Sequence, residues 1–527
     1  MTLWLRRAFA VPASRVALQG AWAPVLCLGA ACLSVPLQAQ AQAQQAQSQA
    51  QSGGRSLTIV PTFDAVVTYS DSSLRDSSGQ RGGDFITQIR PGVQLSSRSG
   101  RIRGNLSYAL NAVHHSKPTS EPGIQHFLSG VLNAEAIEDW LFVDAAANVS
   151  QRSLSAFGQQ SVGNDAQSNN NRDQVATASI SPYVRGALGS FANYEGRLST
   201  TTTRARRTIN GDSTTDSALL ALNSVRGGLL GWNLVASRQR ADFRAGRTTQ
   251  NDRISLGITA TPIPEVSFGL RGGRETTDVG ALVRNSYDNY GWEARWTPNP
   301  RTLLSAESER RYFGQSHRVV VEHRLPRSSL RFTSTSNVSN GADPTGVGAP
   351  ITLYQLFFSQ FASIQPDPAL REQLVLAFLR GQGLDPTSRV GGGFINTGVS
   401  LQNRQDLSWS YSGLRTSLVL QAFSTRSERI DTASLAPDDG LVRQSGYTAT
   451  LAHRLTPTAS ASLTGLQQKT ESNAGRAGND LKSVSLSYSD RISRRATTTV
   501  TARHSVFSSA TDPYRESAVS ASLSLRF

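Results

Sequence analysis

The sequence predicts an all-β protein: a transmembrane antiparallel outer-membrane β-barrel of about 22 strands, with a small helical insertion in one long loop. Three observations predict it. From Leu57 onward, apolar side chains recur at every second position through segment after segment, which is the strand period. The connections between segments are tight and long in turn. The chain ends "SAVSASLSLRF", with Val519, Ala521, Leu523, Leu525 and Phe527 on one face and Ser520, Ser522, Ser524 and Arg526 on the other. A β-sandwich of 527 residues would need more bulky inward side chains than 38% hydrophobic and 7% aromatic content supplies. A solenoid would show a repeat, and none is visible. A mean hydropathy of -0.31 excludes a helical membrane protein, and beyond the N-terminus no stretch approaches the roughly 18 apolar residues a spanning helix needs.

The elements follow in order. Residues 1–43 read as a secretory signal peptide: Arg6, Arg7 and Arg15 are the basic start, "VLCLGAACLSV" is the apolar stretch, and Ala39-Gln40-Ala41 or Ala41-Gln42-Ala43 is the cleavage site. Both cysteines, Cys27 and Cys32, fall inside it, so the exported chain needs no disulfide. A lipoprotein reading of Cys32 is disfavoured by Gly29, which stands where an aliphatic side chain is expected. Residues 44–56 are a polar, low-complexity periplasmic lead-in. The barrel occupies 57–527.

Its first strand sets Leu57, Ile59, Phe63, Ala65, Val67 and Tyr69 on one face; the second sets Phe85, Ile89, Val93 and Leu95, and the third Ile102, Leu106, Tyr108, Leu110 and Ala112. Later strands are as regular, with Ile254, Leu256 and Ile258 against Ser255 and Gly257, then Phe268 and Leu270 against Gly269 and Arg271. Tight turns are expected at 98–101, 137–139, 186–189, 261–265, 297–301 and 456–459. Three of them carry Thr-Pro, and proline, lacking an amide proton, marks a strand end. Longer polar loops alternate with them, the asymmetry of an outer-membrane barrel with short periplasmic turns. Trp140, Trp232, Trp296 and Trp409 fall within a few residues of the short turns, as an interfacial aromatic girdle requires.

One insertion, between Asn337 and roughly Gly398, interrupts the pattern on a long-loop side. "ITLYQLFFSQFASI" places Leu353, Phe357 and Phe361 on one helical face; Asp367 then caps and Pro368 opens a second helix whose stripe includes Leu370, Leu374 and Phe378. These two short helices are gating candidates, the alternative being loop decoration. The last strand, with Phe527, Leu525 and Leu523, resembles the C-terminal signal by which outer-membrane barrels are recognised for assembly. Leu525 departs from it, standing where a second aromatic is usual.

"NRDQVATASISPYVRGALGSFANYEGRLS" (171–199), "GWEARWTPNPRTLLSAESERRYFGQSHRVVVEHR" (291–324) and "PALREQLVLAFLRGQGLDP" (368–386) resemble the PEP-CTERM system-associated outer-membrane protein family. That resemblance implies association with bacterial exosortase and exopolysaccharide loci; it supplies no catalytic residues.

The formal net charge is +15, of which Arg6, Arg7 and Arg15 supply three, and Lys117, Lys469 and Lys482 are the only lysines. Arginine forks grip carboxylate, phosphate and sulfate bidentately. Arg90, Arg101, Arg103, Arg197, Arg253, Arg271, Arg295, Arg318 and Arg324 are assigned to the polar strand face, with Glu275, Glu293 and Glu307 among the acids. Such a lumen either favours anionic solutes or pairs its own charges. The seven histidines are scattered, no nucleophile elbow or phosphate loop is present, and the basic residues are too dispersed for nucleic acid. The sequence therefore reads as a non-enzyme without cofactor. A pore or export conduit for an anionic or polysaccharide solute is favoured, then a scaffold for surface polysaccharide, and last a barrel-embedded hydrolase; the expected partners are outer-membrane lipid, the assembly machinery, and exopolysaccharide or its export components.

Overall fold

The computed structural model describes most of residues 57–527. Outside the described residues lie 1–56, the positions 76–80, 99, 117–122, 163–170, 210, 226–228, 431–439 and 474, and all of 340–399 except Tyr354, Phe357, Phe358, Phe361, Arg371, Val375, Phe394, Ile395, Gly398 and Val399. The signal peptide and lead-in expected at 1–43 and 44–56 are thus outside them.

Twenty-two strands follow one another: β1 (Leu57–Arg75), β2 (Arg81–Arg98), β3 (Ile102–His115), β4 (Ile124–Ile137), β5 (Leu141–Ser153), β6 (Arg172–Leu188), β7 (Ala192–Ala205), β8 (Ser213–Ser224), β9 (Leu230–Phe243), β10 (Thr248–Ile263) and β11 (Val266–Thr277). The second half comprises β12 (Asn285–Asn299), β13 (Thr302–Arg311), β14 (Gly314–Arg324), β15 (Ser328–Ser339), β16 (Ser400–Ser412), β17 (Thr416–Arg429), β18 (Leu441–Arg454), β19 (Ala459–Thr470), β20 (Asn479–Asp490), β21 (Ala496–Ser509) and β22 (Tyr514–Arg526). Each pairs antiparallel with its sequence neighbours, and β1 pairs with β22 from Thr62 opposite Arg526 to Ser70 opposite Ala518. The sheet is therefore closed. The amide of Phe527 donates to the carbonyl of Pro61 at 3.1 Å and extends the seam by one bond. Closure leaves no strand edge, the condition for β-structure in hydrocarbon, where an unpaired backbone group costs several kcal/mol.

The two faces are inverted relative to a soluble core. Ile254, Leu256 and Ile258 are 52%, 51% and 53% exposed, while Ser255 and Glu275, facing inward, are 8% and 0% exposed. Only a bilayer covers such an outward apolar face, and the molecule is a barrel of the outer membrane, short turns towards the periplasm. Near those turns stand outward aromatics: Trp140 donates from Nε1 to the Tyr194 hydroxyl (3.0 Å), Phe191 tilts against Trp232 (5.1 Å), and Trp409 stacks on Tyr411 (6.5 Å).

Several boundaries differ from the sequence expectation. The turn expected at 186–189 lies at 189–191, because β6 keeps its ladder to Leu188, paired with Ala192. Pro262 and Pro298 lie within strand ends, where the ladders slip between Ala260 and Ile263 and between Trp296 and Asn299. The residues before them still donate, Thr261 to Leu229 O (2.8 Å) and Thr297 to Glu265 O (2.7 Å), so proline falls where no donor is needed. The insertion runs from 340 to 399, since β15 continues to Ser339 before the ladder ends. On the loop side, β13 and β14 are joined only by Tyr312-Phe313.

Candidate functional site: the lumen

Alternation aims every second side chain inward, and on β10–β14 those side chains form an ionic ladder. Arg271 pairs with Glu293 and lies 3.8 Å from both Glu307 and Glu309; Arg253 also pairs with Glu309. Arg311 grips Glu275, with Nε 3.1 Å from Oε2, and Asn251 donates to the same carboxylate at 2.7 Å. Asn289 donates to Glu309 at 2.7 Å. Glycine makes room at two points: a Cβ on Gly273 would stand 2.0 Å from the Ile254 carbonyl, and one on Gly291 2.3 Å from that of Ser308. At the loop end of this wall, burial pushes the Tyr312 hydroxyl well above the usual phenol range, against the pull of the Arg311 charge.

Other inward charges pair locally. Arg404 holds Asp406 (2.6 Å), Arg331 and Arg324 share Glu322 (3.2 and 3.4 Å), Arg503 meets Glu516 (3.1 Å), and Arg197 meets Asp144 (2.7 Å) and Glu195 (3.0 Å). The Arg197 guanidinium also covers the Tyr183 ring at 3.9 Å, as Arg185 covers Phe142 at 4.2 Å. The opposite wall, β18–β22, is built of hydroxyls that bond one another: Thr450 to Thr464 (3.2 Å), Ser483 to Ser505 (2.9 Å), Ser487 to Thr501 (2.9 Å) and Thr499 to Ser489 (3.2 Å).

Among the arginines assigned from sequence, Arg197, Arg253, Arg271 and Arg324 thus sit on the inner face in ion pairs with Glu275, Glu293, Glu307 or neighbouring acids close by. Arg90 bonds Asn111 (3.0 Å) and Gln88 (2.9 Å) on the same face. Arg103, Arg295 and Arg318 share the inward register, are exposed, and have no ion-pair partner among the described residues. Arg101 is a correction: it lies on the β2–β3 turn, not on a strand, and pairs in solvent with Glu138 of the next turn at 2.8 Å. Alternation stops at a turn, so the face of a turn residue does not follow from its parity. Glu309, Arg311, Arg404 and Glu516 were not singled out from sequence, although Glu309 and Arg311 continue the register of Glu307. No three His, Cys, Asp or Glu side chains converge as metal ligands among the described residues.

Two segments enter this lumen. In the first, which leaves β5, the carbonyl of Ala156 accepts from Asn479 Nδ2 (2.9 Å) and Thr470 Oγ1 (3.1 Å), and that of Gln160 from the Tyr514 hydroxyl (2.8 Å). Ala156 and Phe157 pack on Val442, and Val162 packs on Leu481, Phe507 and Tyr514. A circle of 22 strands spaced ~4.8 Å and tilted ~40° would be about 43 Å across. Yet Ala156 is three residues beyond Ser153, a reach of ~10 Å at most, and β19 and β20 are eight and seven places round the ring from β5. The loop end of the barrel is therefore narrowed, with 154–162 tied as a strap to its far wall.

The second is the insertion. Phe357, Phe361 and Val375 are buried against Val419 and Ala452, with Tyr354 and Phe358 packed beside them. Val419 and Ala452 face inward near the short-turn ends of β17 and β18, and Arg429, at the loop end of β17, is ten residues from Val419, roughly 33 Å of strand. Phe357, Phe361 and Val375 thus lie deep in the lumen, near its short-turn end. Tyr354, Phe357, Phe358, Arg371 and Val375 are helical; Leu353, Leu370, Leu374 and Phe378 lie outside the described residues. Ile395 donates its amide to Ser153 O (2.9 Å) at the end of β5, and Phe394 packs beside Ala156 and Phe157 of the strap.

No family model and no curated protein matches the chain. Among solved structures it is similar to the FrpB iron transporter from Neisseria meningitidis (9% identity, TM-score 0.47, 89% of this chain and 82% of that one). It is similar also to the siderophore receptor PirA from Pseudomonas aeruginosa (12%, 0.42, 89% and 80%) and to a BenF-like porin from Pseudomonas fluorescens (4%, 0.35, 90% and 99%). At such distance, what those proteins carry says nothing of what this one carries.

Proposed function

We propose that the protein is a gated outer-membrane conduit for anionic solutes, with the insertion as its gate. One observation carries the reading: Phe357, Phe361 and Val375 are seated on Val419 and Ala452 deep inside a lumen whose other inward residues are mostly polar. An apolar contact buried there holds the insertion against the lumen wall, inside the path a solute would take. Because it rests on a few side chains, its loss need not disturb the ladders of the wall. The choice of anions follows from Arg103, Arg295 and Arg318, which are exposed on the inner face and form no ion pair among the described residues. The resemblance to exopolysaccharide-associated barrels makes an acidic exopolysaccharide the first solute to try. A scaffold role for surface polysaccharide is the second reading.

Planar-bilayer recording tests the proposal. Deleting 341–392 and joining the ends through a short Gly-Ser link spares Phe394, which packs on the strap, Ile395, which bonds Ser153, and Val399, which packs with Ala241 and Phe243. The variant is expected to insert normally, to conduct at least about tenfold more than the parent, and to be blocked by a polyanionic sugar. Normal insertion with unchanged conductance sinks the gate and leaves the scaffold reading.

A further inference from the structure

The periplasmic rim is divided in charge. From β12 to β22 every turn or its adjoining strand end presents exposed arginine: Arg301, Arg327, Arg415 and Arg454 one to a connection, then three in the β20–β21 turn, Arg491 among them. None of these turns contains a carboxylate; Asp490, at the end of β20, is the nearest. The turns of the other half carry Glu138, Asp139 and Glu265, with Arg101 already paired to Glu138, among the described residues. The arginines are held rather than trailing. Arg454 donates to Leu414 O (2.7 Å) and Arg491 to Pro457 O (3.4 Å), so both lean on the neighbouring turn.

We propose that this arc is a binding surface for the phosphates of anionic phospholipids in the periplasm-facing leaflet. The guanidinium groups follow the line of outward aromatics, Trp296, Trp409, Tyr411 and Tyr488, that marks the lipid boundary, so they lie at headgroup level. They are also strung out. Ten strand spacings at ~40° tilt make an arc of ~60 Å, bent around the barrel. A shell of headgroups matches that shape, whereas an acidic protein would be met by a compact patch. Guanidinium forks bind phosphate oxygens in pairs, and with no carboxylate in the turns nothing intramolecular competes strongly.

The native tryptophans can report it. The full chain, labelled with fluorotryptophan, is placed in phosphatidylcholine nanodiscs doped with a few per cent of spin-labelled phosphatidylglycerol or, separately, spin-labelled phosphatidylcholine, and fluorine linewidths are read. Trp296 and Trp409, beside the arc, are expected to broaden about threefold more with the phosphatidylglycerol label, and Trp140 and Trp232, on the other half, equally with both. The quadruple variant R415Q/R491Q/R494Q/R495Q, checked for heat-modifiable folding, is expected to abolish the difference, as is high salt. Equal broadening at all four positions overturns the proposal and leaves the rim to an acidic periplasmic protein; a preference that survives the variant overturns it too. Neither outcome depends on whether the lumen conducts.

Discussion

At the scale of the residue, one position along a strand decides whether a side chain meets lipid or the lumen. Leu486 is 55% exposed on the outer face of β20, and Ser485 beside it faces inward. Leu486→Arg is expected to destabilise the barrel by about 2–4 kcal/mol, and Ser485→Arg by under about 1 kcal/mol, in urea unfolding from liposomes. Equal costs would mean that the faces are wrongly assigned. The alternation that fixes these faces is legible from the residues alone, and so is the inward register of Arg253, Arg271 and Glu293. Their partners are not: Arg253 meets Glu309, which is three strands away and 56 residues distant in sequence. Periodicity gives a side chain its direction, while its partner depends on register and tilt, which no local pattern records.

At the scale of the element, the strands and the apolar face of the insertion at Phe357 and Phe361 were readable, and the strap was not. Loop 154–171 reads as polar and long, yet Ala156, Phe157 and Gln160 are buried because strands distant in sequence come to meet them. Within the loop only a few scattered apolar residues, among them Ala156, Phe157 and Val162, mark this in a polar run. The strap hangs on few bonds, which makes it easy to test. Tyr514→Phe with Asn479→Ala removes donors to Gln160 O and Ala156 O, a loss of about 1–2 kcal/mol. Amide exchange over 155–160 is expected to quicken by about fivefold or more while that of β20 and β22 is unchanged. If exchange over 155–160 stays at the parental rate, the strap is held by its own internal bonds, such as Asn171 Nδ2 to Ser155 O at 2.8 Å.

For the whole molecule, strand number, closure and the sidedness of the connections followed from the sequence, because a barrel repeats one rule many times and local errors average out. The pinch at the loop end did not, since it is a property of how opposite walls approach. Closure itself is tested at the C-terminus: Phe527→Asp is expected to lower the heat-modifiable form in the outer membrane several-fold, and unchanged levels would count against an assembly role for that residue.

The seam between β1 and β22 has a consequence in time rather than in space. The two strands that complete the ring are the first and last to be made, so no set of hairpins formed without β22 can satisfy both its edges. Until Tyr514–Arg526 arrives, the chain is an open, adhesive ribbon that a chaperone must shield, and any truncation or stall before that point yields a permanently sticky product. The thirteen residues of β22 therefore act as a latch on quality as well as on structure.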